Sequence, residues 1–266
     1  MIERANNTDD VKKMIKYIGK NYKAIPYLYV NLKQYGIGTN DVTPWIDYKN
    51  DGQINGVYLK YYDCVHFFTN EANAYSAEEF VDFVNNCSHK VLMLQADFGN
   101  RIDCYFSDYY SERNYVIDMD NVGIDNNNYI SMIAERSDIK EIVDLLMADP
   151  EYENVYDRSV LMKQMLERYD NSFSRYFVVK IDGKVVASCS TYGEVSDFAQ
   201  VGGVIVHPDY RRRGLARDVE NYACHILERE KKSRVGFVNF NNSASLLLHE
   251  KIGAKKIAAI AKFVKK

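Results

Sequence analysis

The stretch "GGVIVHPDYRRRGLARDVENYACHILE", Gly202 to Glu228, decides the reading of this chain. An apolar run stops at a proline, three consecutive arginines and a glycine follow, and the chain then reads as helix. A helix start is already positive, so three more like charges there repel unless an anion sits in the turn.

Three readings of "VHPDYRRRGLARD" compete. One is a solvated charged turn after a strand. A second is a nucleic-acid contact, since arginine grips phosphate. Against it, Asp209, Asp218 and Glu220 flank the run, and no basic face or interleaved aromatics extend it. The third is a pyrophosphate cradle, with free backbone N–H groups and the positive dipole end supplied by the helix. Gly214 would permit close approach, Arg212 and Arg213 would make charge-assisted contacts, and small Ala216 would let the first turn pack against the phosphate. Neither GxGxxG nor GxxxxGK[ST] is present, which excludes the two commonest nucleotide loops.

Working outward, 266 residues suit one large domain or two of ordinary size, and 47% hydrophobic with 27% charged residues is the composition of a soluble globular protein. No apolar run approaches membrane-spanning length. The opening "MIERANNTDDVKK" has no apolar signal segment, so export is not expected. Five scattered cysteines (Cys64, Cys87, Cys104, Cys189, Cys224), none in a CxxC pair, fit free thiols in a reducing compartment, and the expected location is cytoplasmic with no metal site.

The net charge of −3 hides an asymmetry: residues 1–128 carry 12 Lys and Arg against 18 Asp and Glu, residues 129–266 carry 22 against 19. Of the 22 tyrosines, 14 lie in the first half. This shift predicts domains at 1–128 and 129–266, with "DMDNVGIDNNN" (Asp118 to Asn128) as linker. That stretch is no EF-hand, because Val122 falls where an oxygen ligand is needed and no glutamate follows at the required spacing. Both halves begin alike. "MIERANNTDDVKKMIKYI" and "SMIAERSDIKEIVDLLM" each give a short strand, a capping residue (Thr8, Ser137) and an amphipathic helix. Asp51-Gly52 and Asp182-Gly183 then mark turns between β-rich segments, and a helix and strand follow each. Only the second half carries the arginine turn; the first reads "DCVHFFTNEANAYSAEEF" at the same place.

Within its strand–turn–helix context, Val206-x-Pro208-x-x-Arg211-x-x-Gly214-x-Ala216 resembles the acetyl-CoA signature of the GNAT acetyltransferase superfamily. Downstream, "VNFNNSASLLLHEKIGAKKI" is similar to the family's second signature. The resemblance covers residues 129–266 and implies an α/β fold, a twisted, mostly antiparallel sheet flanked by helices, with one splayed parallel strand pair around Val204–Val206 and Val235–Asn239. For residues 1–128 the internal repeat implies a degenerate GNAT-like domain without a CoA site, giving two such domains in tandem. The resemblance implies acetyl-CoA as cosubstrate and direct transfer to a primary amine on a small molecule or peptide, and the charge pattern and lack of a long apolar run predict no nucleic-acid or membrane partner. A non-catalytic acyl-CoA-binding or sensing module is the alternative.

Residue by residue, the resemblance implies main-chain contacts to the pantetheine arm from Val204, Ile205 and Val206, and pyrophosphate contacts from Arg211, Arg212, Arg213, Gly214, Leu215, Ala216 and Arg217. Arg211 equally suits a brace for the turn. Asn242 and Ser245 fall on the family's asparagine and small residue near CoA, and His249 stands where the family usually has the tyrosine that protonates the leaving thiolate. Glu194 and Asp197 are the carboxylates available as general base, with a surface hairpin as the competing reading. Cys189 and Cys224 are read as buried packing residues.

Overall fold

The computed structural model describes residues 1–39, 41–120, 122 and 128–266. Along the first half run β1 (Ile2–Arg4), α1 (Thr8–Ile18), α2 (Pro26–Tyr35), β2 (Val42–Tyr48), β3 (Ile54–Tyr61), β4 (Cys64–Phe68), α3 (Ala77–Asn85), β5 (Val91–Gln95), α4 (Ala96–Ile102) and β6 (Tyr109–Asp118). The second half is β7 (Met132–Ile133), α5 (Ile139–Met147), the single-turn α6 (Pro150–Glu153), α7 (Arg158–Asp170), β8 (Tyr176–Ile181), β9 (Lys184–Glu194), β10 (Phe198–Val206), α8 (Leu215–Arg229), β11 (Ser233–Asn239), α9 (Ser243–Lys251) and β12 (Lys255–Lys265). Apart from α6 the two halves share one order of elements, so the internal repeat read from sequence is present element by element.

Contacts divide the chain into two compact units. Unit 1 is Met1–Asp118 with Phe237–Glu250 and Lys255–Lys266; unit 2 is Met119–Gly236 with Lys251–Ala254. This division differs from a single cut after residue 128. The reason lies in β12, which pairs antiparallel with both β5 and β6 and so completes the sheet of unit 1. The rest of that sheet is the antiparallel run β1-β2-β3-β4 and the parallel pair β4–β5. In unit 2, β7, β8, β9 and β10 pair antiparallel in that order, and β10 pairs parallel with β11. The mixed, mostly antiparallel sheet is therefore as expected, with a parallel pair in each half.

Local chemistry explains the elements. Asp182 and Gly183 both take positive φ (50° and 77°), the backbone that a two-residue hairpin between twisted strands requires. Two capping assignments need correction. Asn7, one residue before Thr8, caps α1 by accepting the Asp10 N–H at 2.9 Å. In the second half Glu135 and Asp138 cap the turn before α5 reciprocally, and Ser137 does not. Of the expected linker, residues 121 and 123–127 lie outside the described residues. Its start is anchored within unit 2: Met119 N–H donates to Arg234 O at 3.0 Å, and the Asp120 carboxylate accepts from Arg234 N–H and Ser233 Oγ.

Each unit has its own core. In unit 1 Tyr58, Phe67, Tyr75, Phe80 and Phe98 are fully buried against one another, so part of the tyrosine excess is packing material. In unit 2 the apolar faces of α5 (Ile139, Ile142, Val143, Leu146) and α7 (Leu161, Met165) cover Tyr176, Val178, Val185 and Ile205. The opposite helix, α8, buries Leu215, Val219, Ala223 and Leu227 at four-residue spacing.

Candidate functional site

Strand β10 begins as an ordinary inner strand and then loses one partner. Its parallel pairing with β11 runs from Phe198–Gln200 against Ser233–Val235, and no further register is formed along β10 among the described residues. Val235, expected on the open side, is still paired; the opening starts beyond it. On its other edge β10 stays paired with β9 up to Val206, through irregularities between Gln200 and Val201 and between Gly202 and Ile205. Gly203 takes φ +63°, and a bulge of this kind re-aims the backbone next to it. Beyond Gln200 the β11-facing edge of β10 is thus left open where a parallel neighbour would otherwise lie, while Ile205 and Val206 keep their β9 partners on the other edge.

The open edge leads directly into the arginine turn. Arg212 has φ +63° and Gly214 has φ +80°, and left-handed residues in a turn are a feature of backbone concavities that bind anions. Gly214 stands at the start of α8 with no side-chain cap. The first helical bond is Asp218 N–H to Gly214 O at 3.0 Å, so the N–H groups of Leu215, Ala216 and Arg217 have no acceptor within the helix. A Cβ built on Gly214 meets nothing within 4 Å. These are the features of an anion cradle, and they fit the pyrophosphate of a CoA thioester. The arginine side chains divide their work. Arg211 Nε donates to Val206 O at 3.1 Å, the bracing role that the sequence left open. Arg213 donates to Asp209 O at 3.1 Å and lies over the Tyr210 ring, 5.0 Å from its centroid. Arg212 and Arg217 are exposed.

The same place in the first half is built the other way. Ser76 caps α3 by accepting the Glu79 N–H at 3.2 Å, and Glu78 and Glu79 fill its first turn. One of its donors is in use and its charge is negative, so that helix end repels the anion that α8 would attract. There β4 also stays paired with β5 over four registers, Cys64–Phe67 against Val91–Leu94.

Glu194 requires correction. It is buried, and its carboxylate receives both Arg175 nitrogens at 2.7 Å, Lys232 Nζ at 2.7 Å and Thr191 Oγ at 2.7 Å. Burial pushes its pKa up, but the Arg175 and Lys232 hydrogen bonds outweigh that and hold it below the usual range. A carboxylate so occupied is a poor proton acceptor; it holds β8, β9 and the residues before β11 together. Asp197 is exposed in the β9–β10 turn.

Asn242, Ser245 and His249 belong to unit 1. Asn242 Oδ1 accepts the Ser245 N–H at 3.0 Å, a helix-capping bond. His249 is buried, and its Nδ1 lies 2.8 Å from Ser245 O. A carbonyl only accepts, so Nδ1 donates to it. Cys189 and Cys224 are buried as expected, and burial pushes the Cys224 thiol up to about 12. Among the described residues no cluster of three His, Cys, Asp or Glu side chains could hold a metal, and no helix is long and apolar enough to cross a membrane.

One group escaped the sequence reading. Tyr192 packs over the glycine pair of β10: a Cβ on Gly202 would come within 2.6 Å of its ring, and one on Gly203 within 2.8 Å of its hydroxyl. That hydroxyl is hydrogen-bonded to Tyr152. Adjacent glycines inside a strand pattern were the available signal for such a close approach.

Comparison with known proteins accords with this geometry. The model of the acetyltransferase (GNAT) family matches residues 139–254. No curated protein matches the chain. A solved Drosophila protein is similar over 99% of this chain and 98% of its own, with TM-score 0.71 and 12% identity. A tandem GNAT protein from the clavulanic acid biosynthesis pathway matches over 99% and 98%, at TM-score 0.61 and 10% identity. A GCN5-related N-acetyltransferase from Sphaerobacter thermophilus covers 99% and 94%, at TM-score 0.61 and 12% identity. Residues 139–254 thus match the model of the acetyltransferase (GNAT) family, whose fold supports acyl-CoA-dependent acyl transfer, in a chain similar in fold over its whole length to a tandem GNAT protein.

Proposed function

We propose that the protein is an N-acetyltransferase that moves an acetyl group from acetyl-CoA directly to a primary amine of a small molecule or peptide, using residues 129–266 as the catalytic domain. The observation that carries this reading is the continuity of two features: the unpaired length of β10 runs straight into the uncapped, left-handed turn at α8. The backbone of Val204, Ile205 and Val206 would hold the pantetheine arm. The N–H groups from Arg212 to Arg217 would hold the pyrophosphate, with Arg212 and Arg217 adding charge and Arg211 and Arg213 keeping the turn in shape. The bound thioester supplies an activated acyl carbon. Asn242 and Ser245 take their proposed place near CoA from the sequence motif alone.

A non-catalytic acyl-CoA-binding module is the second reading. It is favoured by the Glu194 carboxylate, which its bonds to Arg175 and Lys232 make a poor base, and by His249 Nδ1, which is engaged with the Ser245 carbonyl. Release of free thiol from acetyl-CoA across a panel of amines separates the two. Calorimetric binding of CoA with no thiol release under any amine supports the binding module; absence of both refutes the cradle itself.

A further inference from the structure

Gln200 is 1% exposed, and neither its Oε1 nor its Nε2 has a hydrogen-bond partner among the described residues. Burying both ends of a carboxamide unpartnered is unfavourable, and native interiors rarely contain one. Its position is specific. Gln200 is the last residue of β10 in register with β11, opposite Val235, so it stands at the point where the two strands part. It lies beside the register irregularity between Gln200 and Val201, where Tyr192 is the extra residue of β9, and two residues before Gly202, over which the Tyr192 ring lies.

We propose that the Gln200 carboxamide is the side chain that pairs with the reacting groups: Nε2–H donates to the thioester carbonyl oxygen, and Oε1 accepts an N–H of the attacking amine. This rests on the acyl-transfer reading above. During transfer the amine nitrogen bonds to the carbonyl carbon while the C=O π pair moves to oxygen. That pair then returns, the C–S bond breaks with its electrons on sulfur, and the proton lost by nitrogen ends on the thiol. Oxygen and nitrogen are meanwhile attached to one carbon. A carboxamide, with its acceptor and donor also on one carbon, matches them with two parallel hydrogen bonds. Gln200 itself gains and loses no proton. It therefore accepts an amine that arrives neutral, and it strengthens its hold on oxygen as charge develops there.

The decisive variants are Gln200→Met, which keeps length without hydrogen bonding, and Gln200→Glu. Wild-type protein should bind acetyl-CoA severalfold more tightly than CoA by calorimetry, and Gln200→Met should abolish that difference while leaving CoA affinity within about twofold. Its melting temperature should equal or exceed wild type, since two unpartnered polar atoms are removed. Amine-dependent thiol release should fall by roughly 10²–10³-fold, the range for loss of one donor to a developing oxyanion. Gln200→Glu should introduce a new ionisation into the pH–rate profile. An acetyl-CoA to CoA affinity ratio that is the same in wild type and Gln200→Met, or full turnover in the Met variant, overturns the proposal. Should the Met variant not fold, an unchanged rate and pH profile in Gln200→Glu overturns it as well. A wild-type protein that shows the affinity difference and no turnover with any amine refutes the acyl-transfer reading and retains the carbonyl contact.

Discussion

Replacing Gly214 tests the turn through its backbone. Gly214 sits at φ 80° and ψ 1° immediately before α8, and a Cβ there meets no protein atom within 4 Å. Two effects of Gly214→Ala are therefore separable. The left-handed conformation costs an L-residue about 1–2 kcal/mol, so alanine should lose that much stability with no clash involved. At roughly 2–4 °C per kcal/mol for a protein of this size class, the melting temperature should fall by about 2–8 °C. The space free of protein atoms is also the space proposed for phosphate, so the new methyl should weaken CoA binding independently. Gly214→Asn distinguishes the two, because asparagine tolerates positive φ. It should melt near wild type and still bind CoA poorly. Thermal unfolding and titration calorimetry with CoA on both variants give the readout. Wild-type CoA affinity in Gly214→Asn would refute the cradle, and a wild-type melting temperature in Gly214→Ala would refute the conformational argument.

Arg212 also occupies the left-handed region, at φ 63°. Arg212→Gly should raise the melting temperature while lowering CoA affinity about tenfold at low salt, with the difference shrinking at high salt as screening takes over; changes of the same sign in both would contradict the assignment. For Glu194 the folded pKa is depressed, so its ion-pair stabilisation is complete above the unfolded value of about 4.3 and is lost as pH falls through the folded value. Glu194→Gln should lower stability by about 3–5 kcal/mol at pH 7, because Arg175 and Lys232 lose a buried partner, and should flatten the acid limb of a stability–pH curve; loss of thiol release with an unchanged melting temperature would return it to the mechanism as base. His249→Ala should lower the melting temperature with turnover reduced less than tenfold, whereas a loss of roughly 10²–10⁴-fold in folded protein would establish the general acid.

The sequence carried the fold because its signals were local. Asp182-Gly183 demands positive φ and so marks a hairpin, and Val206 through Ala216 joins strand, turn and helix within a dozen residues. The end of unit 1 was not legible for the opposite reason. Nothing in "KKIAAIAKFVK" states that its partners are Val91–Gln95 and Tyr109–Asp118, more than a hundred residues earlier. Pairing over that distance is set by the assembled sheet. The candidate site divides in the same way. The backbone cradle was readable from glycine and arginine types in order. The occupancy of Glu194 was not, since Arg175 and Lys232 come from segments far apart in sequence, one just before β8 and one just before β11. Nor was the isolation of Gln200, which becomes visible only when every neighbour of a buried carboxamide has been placed.

The two halves make the functional argument sharper than either does alone. They share an order of elements, and a parallel strand pair precedes and follows the corresponding helix in each. Fold is thereby held nearly constant while the helix end changes. At α3 a serine hydroxyl takes up one donor, two glutamates oppose the positive dipole, and β4 stays zipped to β5. At α8 a left-handed glycine leaves the donors free, arginines add charge, and β10 separates from β11 after three residues. An anion with a long polar arm is complementary to the second arrangement and is repelled by the first. Transplanting the α3 cap onto α8, as Gly214→Ser with Arg217→Glu, should therefore abolish CoA binding without unfolding the protein, because it supplies from the chain what the ligand would otherwise provide. Retention of CoA affinity in that folded variant would mean that the charge and free donors of this turn are not what selects the ligand.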